Sequence, residues 1–351
     1  MHRPFKTLAT AAALAVSLFA LSAGTAGAAQ TVQHAAPEPA ETLTIADVLP
    51  TPTLITFQSK LSADAWNNIE AYVFKPAGAS SAKKVPLVIV AHGHTGLFTC
   101  DTDADGALAQ VGTCYVKLST QYATLAQELL ARGVGVMLVN SFTATRSAKI
   151  VSLHAGDTSW AVYPKGLGAN RDAMVSDHAS RPYDLFGAAL AVPAQLTWAD
   201  PAKLVALGYS HGGTAAMAAT FSQHPMNINN PASGGKLFKR VFATYPGCLM
   251  GGTNTNYVNS GAVVPLSIAT GSADTDTPPG TMPGTASDGG GCRKRYDAAK
   301  TAVAANPSLY KIDWWNYQGA THSWETTYTA ADFAARADWR AKVGSYVQSL
   351  L

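Results

Sequence analysis

Charge is scarce in this chain: only 13% of its 351 residues are Asp, Glu, Lys or Arg, and they form no stripe. Without clustered Lys and Arg there is no electrostatic footprint for a nucleic-acid partner, so none is expected. Long apolar runs are absent as well, apart from one at the start. Leu8–Leu21 is uncharged and rich in Ala and Leu, follows Arg3 and Lys6, and precedes the small residues Ser22–Ala28. That is the layout of a secretory signal cut after Ala28 or Ala29. The run is shorter than the ~20 residues a bilayer-spanning helix needs, so a stable membrane anchor is not expected. Residues 1–28 therefore read as a signal peptide, residues 29–50, rich in Ala, Pro and Glu, as a flexible leader, and residues 51–351 as a single domain. A secreted or periplasmic location follows, with a monomer as the expected state. Cysteine is also sparse. Cys100, Cys114, Cys248 and Cys292 include no Cys-x-x-Cys pair, and no Cys/His spacing suits zinc. An even count in an oxidising compartment favours disulfides, with three connectivities open.

What the chain does have is alternation. Leu54–Ser59 and Ile69–Phe74 read as antiparallel strands, and the continuous apolar run Val85–Ala91 reads as a buried parallel strand. Leu118, Tyr122, Leu125 and Leu129 recur at helical spacing until Gly133, and Val134–Val139 is again a buried strand. A helix over Tyr183–Leu196, interrupted at Pro193, leads to the strand Leu204–Tyr209 and the small-residue helix Gly212–Ser222. Strands at Val241–Tyr245, Pro265–Thr270 and Tyr310–Tyr317, a helix near Lys294–Ala305 and a last helix Ala330–Leu350 complete the pattern. Strands alternating with helices predict an α/β fold with a mostly parallel sheet covered on both faces. Gly251–Ala262 and Pro279–Gly291 read as loops, and Ile150–Ser180 as a small lid.

The chemistry is concentrated in Gly208-Tyr209-Ser210-His211-Gly212, directly after an apolar strand and before a helix. A Gly-x-Ser-x-Gly turn in that context lifts the serine hydroxyl out of the sheet and aims the following helix's N–H groups at it. A serine hydroxyl needs a base, and in this architecture the chain order is nucleophile, acid, base. His322, on a loop after a strand and before the last helix, is the candidate base; His224 is too close to Ser210 in sequence and reads as a surface residue. Spacing favours Asp274 as the acid, with Asp276 as the alternative on the same loop. Backbone N–H groups of His211 and of His94, in the loop His92-Gly93-His94-Thr95-Gly96, are the candidate oxyanion donors. The His92 and His94 side chains read as structural or substrate-lining. Arg146 is a weaker candidate for gripping a substrate carboxylate. Asp101-Thr102-Asp103-Ala104-Asp105-Gly106 resembles the start of a calcium loop. Its closing position is Gly112 rather than Glu, so an acidic turn is expected and no metal. No cofactor is implied.

Taken together, Leu87–Gly96, Leu138–Arg146, Asp200–Gly213, the acid loop Gly271-x-x-Asp274-x-x-x-Pro278 and Tyr317-x-Gly-Ala-x-His322 resemble the dienelactone hydrolase-like family. The resemblance covers Leu54 to Leu351 and implies the α/β-hydrolase fold, with Ser210, Asp274 and His322 as triad. Members of that family hydrolyse esters or lactones; with serine as nucleophile the lactone does not carry over, and the expected substrate is an ester, small or polymeric. Tyr245-Pro246-Gly247-Cys248 with Cys292 resembles a secreted branch carrying a cysteine pair beside the acid loop, so Cys248–Cys292 and Cys100–Cys114 are the expected bonds. Two departures stand out: the original members use a cysteine nucleophile, and many carry Asp where Asn140 stands here. A serine peptidase on the same fold, or a non-catalytic binding protein on this scaffold, are the alternatives.

Overall fold

The structure is a computed structural model. It describes residues 49–61, 67–104, 107–111, 114–143, 180–222, 224–229, 235–248, 261–274, 292–310 and 312–351, with the short pieces 30–32, 162–163 and 166–167 and residue 177. The expected signal peptide thus lies outside the described residues. So does the expected leader, except Gln30–Val32, which adds a short strand to the sheet, and Leu49–Pro50.

In chain order the strands are β1 (Gln30–Val32), β2 (Thr53–Gln58), β3 (Asn68–Phe74), β4 (Val85–Ala91), β5 (Phe98–Asp101), β6 (Ala109–Val111), β7 (Cys114–Leu118), β8 (Gly135–Asn140), β9 (Val162–Tyr163), β10 (Gly166–Leu167), β11 (Ala199–Tyr209), β12 (Arg240–Thr244), β13 (Leu266–Gly271) and β14 (Ile312–Tyr317). The helices are α1 (Thr120–Ala131), α2 (Arg181–Gln195), α3 (His211–Thr220), the short α4 (Pro225–Asn229), α5 (Cys292–Ala305) and α6 (Ala330–Gln348). Nine strands form one sheet in the order β1-β14-β13-β12-β11-β4-β8-β3-β2. All neighbours pair in parallel except those involving β3, which runs against β2 and β8.

Every residue of β4, β8 and β13 is buried, which explains why these strands read as unbroken apolar runs. Two apolar clusters cover the two faces. One packs Leu185, Phe186 and Val192 of α2 and Ala216 and Met217 of α3 against Leu87, Ile89 and Ala206. The other packs Tyr122, Leu125 and Leu129 of α1 and Trp339, Val343 and Val347 of α6 against Val88, Val90 and Leu207. Helix α3 can run close to the sheet because it is built of Gly, Ala, Thr and Met, and every residue from Gly212 to Thr220 is buried.

Two expectations change, and one unassigned stretch takes a definite form. Pro193 does not interrupt α2; it sits in its last turn, where the missing N–H costs one bond and the helix ends two residues later. His224 is not on the surface: it is fully buried, against the rings of Tyr183 (4.9 Å) and Phe186 (5.3 Å). Its Nδ1 accepts the Met226 N–H at 3.2 Å, so the neutral ring serves as an apolar wedge with one satisfied polar edge. The stretch Leu97–Val116 carries no assignable pattern in the sequence. It folds β5, β6 and β7 into an antiparallel three-stranded sheet in the order β5-β7-β6. Within it Asp101 accepts Lys117 Nζ (3.2 Å) and the Asp103 N–H (3.1 Å), while Asp105 lies outside the described residues. The Cys100 and Cys114 side chains, the lid stretch apart from β9, β10, Asp177 and Ser180, and most of both Gly-rich loops also lie outside them. Among the described residues no helix is long and apolar enough to cross a membrane.

Candidate active site

All four segments singled out for chemistry leave the sheet at the carboxyl ends of parallel strands, the edge where open α/β sheets bind their ligands. Ser210 follows β11, the His92–Gly96 loop follows β4, Asp274 follows β13 and His322 follows β14.

Ser210 takes φ +50° and ψ −116°, a backbone state that L-residues avoid. The turn can close that tightly because of its glycines. A Cβ on Gly208 would run into the Gly212 carbonyl, and one on Gly212 into the carbonyls of Ala91 and His92. The Ser210 N–H bonds Thr244 O (2.9 Å) and its carbonyl accepts the Thr214 N–H (2.9 Å), so the strained residue is tied on both sides. At the start of α3 the N–H groups of His211 and Gly212 have no intrahelical acceptor.

The Ser210 hydroxyl lies 2.9 Å from His322 Nε2, and His322 Nδ1 lies 2.9 Å from Asp274 Oδ2. A carboxylate only accepts, so Nδ1 carries the imidazole proton, and Nε2 is left to receive the serine's. Side-chain exposure is 19% for both His322 and Asp274, enough for a substrate to reach the hydroxyl while the pair stays sheltered. Asp276 lies outside the described residues, and so does Arg146.

Both partners of the serine are held by their loops. The acid turn is laced to the base loop by Ser272 N–H to Tyr317 O (2.9 Å), Ala273 N–H to Ala320 O (2.9 Å) and Gly319 N–H to Ser272 Oγ (2.8 Å). The base loop is in turn gripped by α6. Asp332 accepts the Thr321 N–H (2.8 Å) and hydroxyl (3.1 Å) and also forms a capping box with Thr329. Arg336 donates to Trp324 O (2.6 Å) and Thr327 O (2.7 Å). Glu325, wholly buried, pairs with Arg340, which also holds Glu128 of α1 at 2.7 Å. Burial pushes the Glu325 carboxyl up from its ordinary value, and the Arg340 charge opposes that shift. Tyr245 lays its ring edge-on to His322 (5.1 Å) and Trp324 (4.9 Å).

The loop carrying His94 is fixed as firmly. Gly93 N–H donates to Tyr122 OH (2.7 Å), His92 Nδ1 bonds Gly93 O (2.6 Å), and Ser141 N–H donates to His92 Nε2 (3.2 Å). These two bonds fix the His92 proton on Nδ1. The ring is fully buried, and desolvation with the nearby Arg181 charge holds its pKa well below the usual histidine value. His92 is therefore structural. His94 is half-buried, its ring 6.0 Å from that of His211.

Sequence reasoning missed Arg181, Glu325, Asp332, Arg336 and Arg340. Asp332, Arg336 and Arg340 lie at helical spacing, which reads as a solvated face, Arg181 is a single charge at a helix start and Glu325 a single charge in a turn; only the chain's general poverty in charge hinted that those present are employed.

No protein-family profile matches the chain, and no curated protein matches it in sequence. Solved structures do. Esterase 2 of Thermogutta terrifontis with propionate bound has a TM-score of 0.52 at 14% identity, over 85% of this chain and 94% of that one. The same esterase phosphoramylated by tabun has a TM-score of 0.52 at 14% identity, over 86% and 95%. Phosphorylated by paraoxon, it has a TM-score of 0.50 at 14% identity, over 85% and 96%. This is the α/β-hydrolase fold. In an α/β-hydrolase frame, a hydroxyl able to pass its proton to a carboxylate-held imidazole is equipped for nucleophilic acyl transfer.

Proposed function

We propose that the chain is a serine hydrolase that cleaves carboxylic esters through an acyl-enzyme. The observation that carries this reading is the Ser210–His322–Asp274 relay, with both links at 2.9 Å. Its setting at the carboxyl edge of a sheet shared with proteins described as esterases supports it. Ser210 Oγ attacks the carbonyl carbon as its proton passes to His322 Nε2, and Asp274 stays ionised to hold the imidazolium. The oxyanion is received by the backbone N–H groups of His94 and His211, one such donor contributing about 2.7–4 kcal/mol. Collapse expels the alcohol, which takes the proton from His322, and water repeats the sequence to release the acid.

The finer reading places the enzyme in a serine-nucleophile, exported branch resembling the dienelactone hydrolase-like family, delivered by the signal within residues 1–28. Mass mapping after paraoxon treatment tests the core of it. Attack by Ser210 forms an Oγ–P bond, p-nitrophenolate leaves, and the hydroxyl proton goes to His322. A diethylphosphoryl group on Ser210, with turnover of p-nitrophenyl esters but not of peptide anilides, is expected. An unlabelled Ser210, or faster peptide cleavage, would overturn the reading.

A further inference from the structure

The proposed reaction leaves one buried cation without a task. Arg181 stands at the first residue of α2 and is 1% exposed. Its guanidinium spans two segments that are far apart in sequence. Nη2 donates to His92 O at 2.7 Å, and Nη1 lies 2.5 Å from His211 Nδ1. The Phe142 ring, 5.5 Å from Cζ and edge-on to His92, closes the site from the side.

A guanidinium has donors and no acceptor. His211 Nδ1 must therefore present its lone pair to Arg181, which leaves the imidazole neutral with its proton on Nε2. Burial first, and the Arg181 charge second, hold the His211 pKa well below the ordinary histidine value. The other charged or titratable groups acting on it are Asp177, ahead of α2, which raises it, and His94 and His92, which lower it. The two residues Arg181 grips also belong to the two walls of the site. His211 carries one proposed oxyanion N–H, and His92 lies two residues before His94, which carries the other. Other ties of that loop, to Tyr122 and Ser141, fix it to α1 and the end of β8; Arg181 hydrogen-bonds both this loop and the Ser210 turn, where the His94 and His211 rings also meet.

We propose that Arg181 is a positioning residue of the oxyanion hole: by holding the His92 carbonyl and the His211 imidazole at once, it sets the spacing of the two backbone donors and locks His211 as the neutral Nε2–H tautomer. This rests on the ester-hydrolase reading for its consequence, but the tautomer is a property of the protein at rest. A buried arginine with a purely packing role would not govern it.

Two measurements test the proposal. In wild-type protein, long-range ¹H–¹⁵N imidazole spectra, assigned with His211→Gln, should show His211 as the neutral Nε2–H form from pH 5 to 8. An Nδ1–H tautomer, or titration near pH 6.5, overturns the proposal. In Arg181→Lys, one ammonium cannot reproduce the two-armed grip. We expect kcat for p-nitrophenyl esters and the paraoxon labelling rate of Ser210 to fall about a hundred-fold, as for a misplaced catalytic group. KM should stay within about three-fold, and kcat/KM should gain a new acidic limb. Wild-type rates in Arg181→Lys, or losses that only track a lowered Tm, overturn the proposal. If Arg181→Lys does not fold, the wild-type tautomer decides. Wild-type protein inert to both paraoxon and esters would sink the hydrolase reading and leave the tautomer result standing.

Discussion

At Ser210 the chain holds a strained φ of +50° so that one hydroxyl sits against one imidazole, and the cost is offset by bonds to Thr244 and Thr214. Roles can be separated there by single substitutions. Ser210→Ala or His322→Ala should each lower ester-hydrolysis kcat about a million-fold with the circular-dichroism spectrum unchanged, since members of such a relay act as a unit. Asp274→Asn should cost about ten-thousand-fold by leaving the imidazole in the wrong tautomer, and Asp276→Asn far less. A reversed ranking would transfer the role to Asp276. His224 offers a residue-scale test of stability instead. Desolvation lowers its pKa to about 4 in the folded protein, against 6.5 ordinarily. The unfolded chain binds that proton first, so stability present above pH 6.5 is lost as pH falls toward 4, by roughly 3 kcal/mol in all. His224→Phe should flatten that part of the urea-midpoint profile; an unchanged slope between pH 6.5 and 4 would show that the acid sensitivity lies elsewhere.

At the scale of elements, the base loop depends on α6. Asp332 serves the helix as a cap and the loop as an acceptor for Thr321, the residue before His322. Asp332→Ala should therefore remove about 1–2 kcal/mol from a lost cap and also lower kcat, whereas a cap on an unrelated helix would move stability alone. Hydrogen exchange at the Thr321–Thr327 amides gives the direct reading, and unchanged protection would argue against this linkage. The tight turn between β11 and α3 makes the opposite demand. A methyl at Gly212 meets backbone carbonyls that cannot swing aside, so Gly212→Ala should yield little folded protein, as judged by soluble expression and thermal melts.

Across the whole molecule, Cys248 and Cys292 are bonded at a sequence separation of 44. The bond pins the start of α5 beside the turn after β12, so the chain that leaves Asp274 returns to a fixed point on the sheet. Closing a loop of this length contributes about 4 kcal/mol in the chain-entropy model. Reduction, or Cys248→Ala with Cys292→Ala, should lower Tm by several degrees and reduce kcat at temperatures below the melt. A double variant with wild-type kcat throughout would show that the acid loop needs no such anchor. Non-reducing peptide mapping would also report on Cys100 and Cys114.

The alternation of strands and helices, the Gly-x-Ser-x-Gly turn and the loop positions of Asp274 and His322 are legible in the sequence because each rests on local chemistry. Continuous apolar runs mean strands buried on both faces, flanking glycines mean close backbone approach, and strand-to-loop transitions mark the carboxyl edge. The small β5–β7 sheet was not legible, because its strands of three to five residues are too short for a two-residue period to stand out. Nor was the burial of His224, whose neighbours Tyr183 and Phe186 come from another helix. The sequence by itself determined which backbone carries the groups proposed to react. Only the tertiary structure decided what holds them: Arg181 across two loops, Asp332 and Arg336 beneath His322, and Glu325 between two helices. A charged side chain's partner is set by where distant elements pack, and nothing in the residues beside it in sequence records that distance.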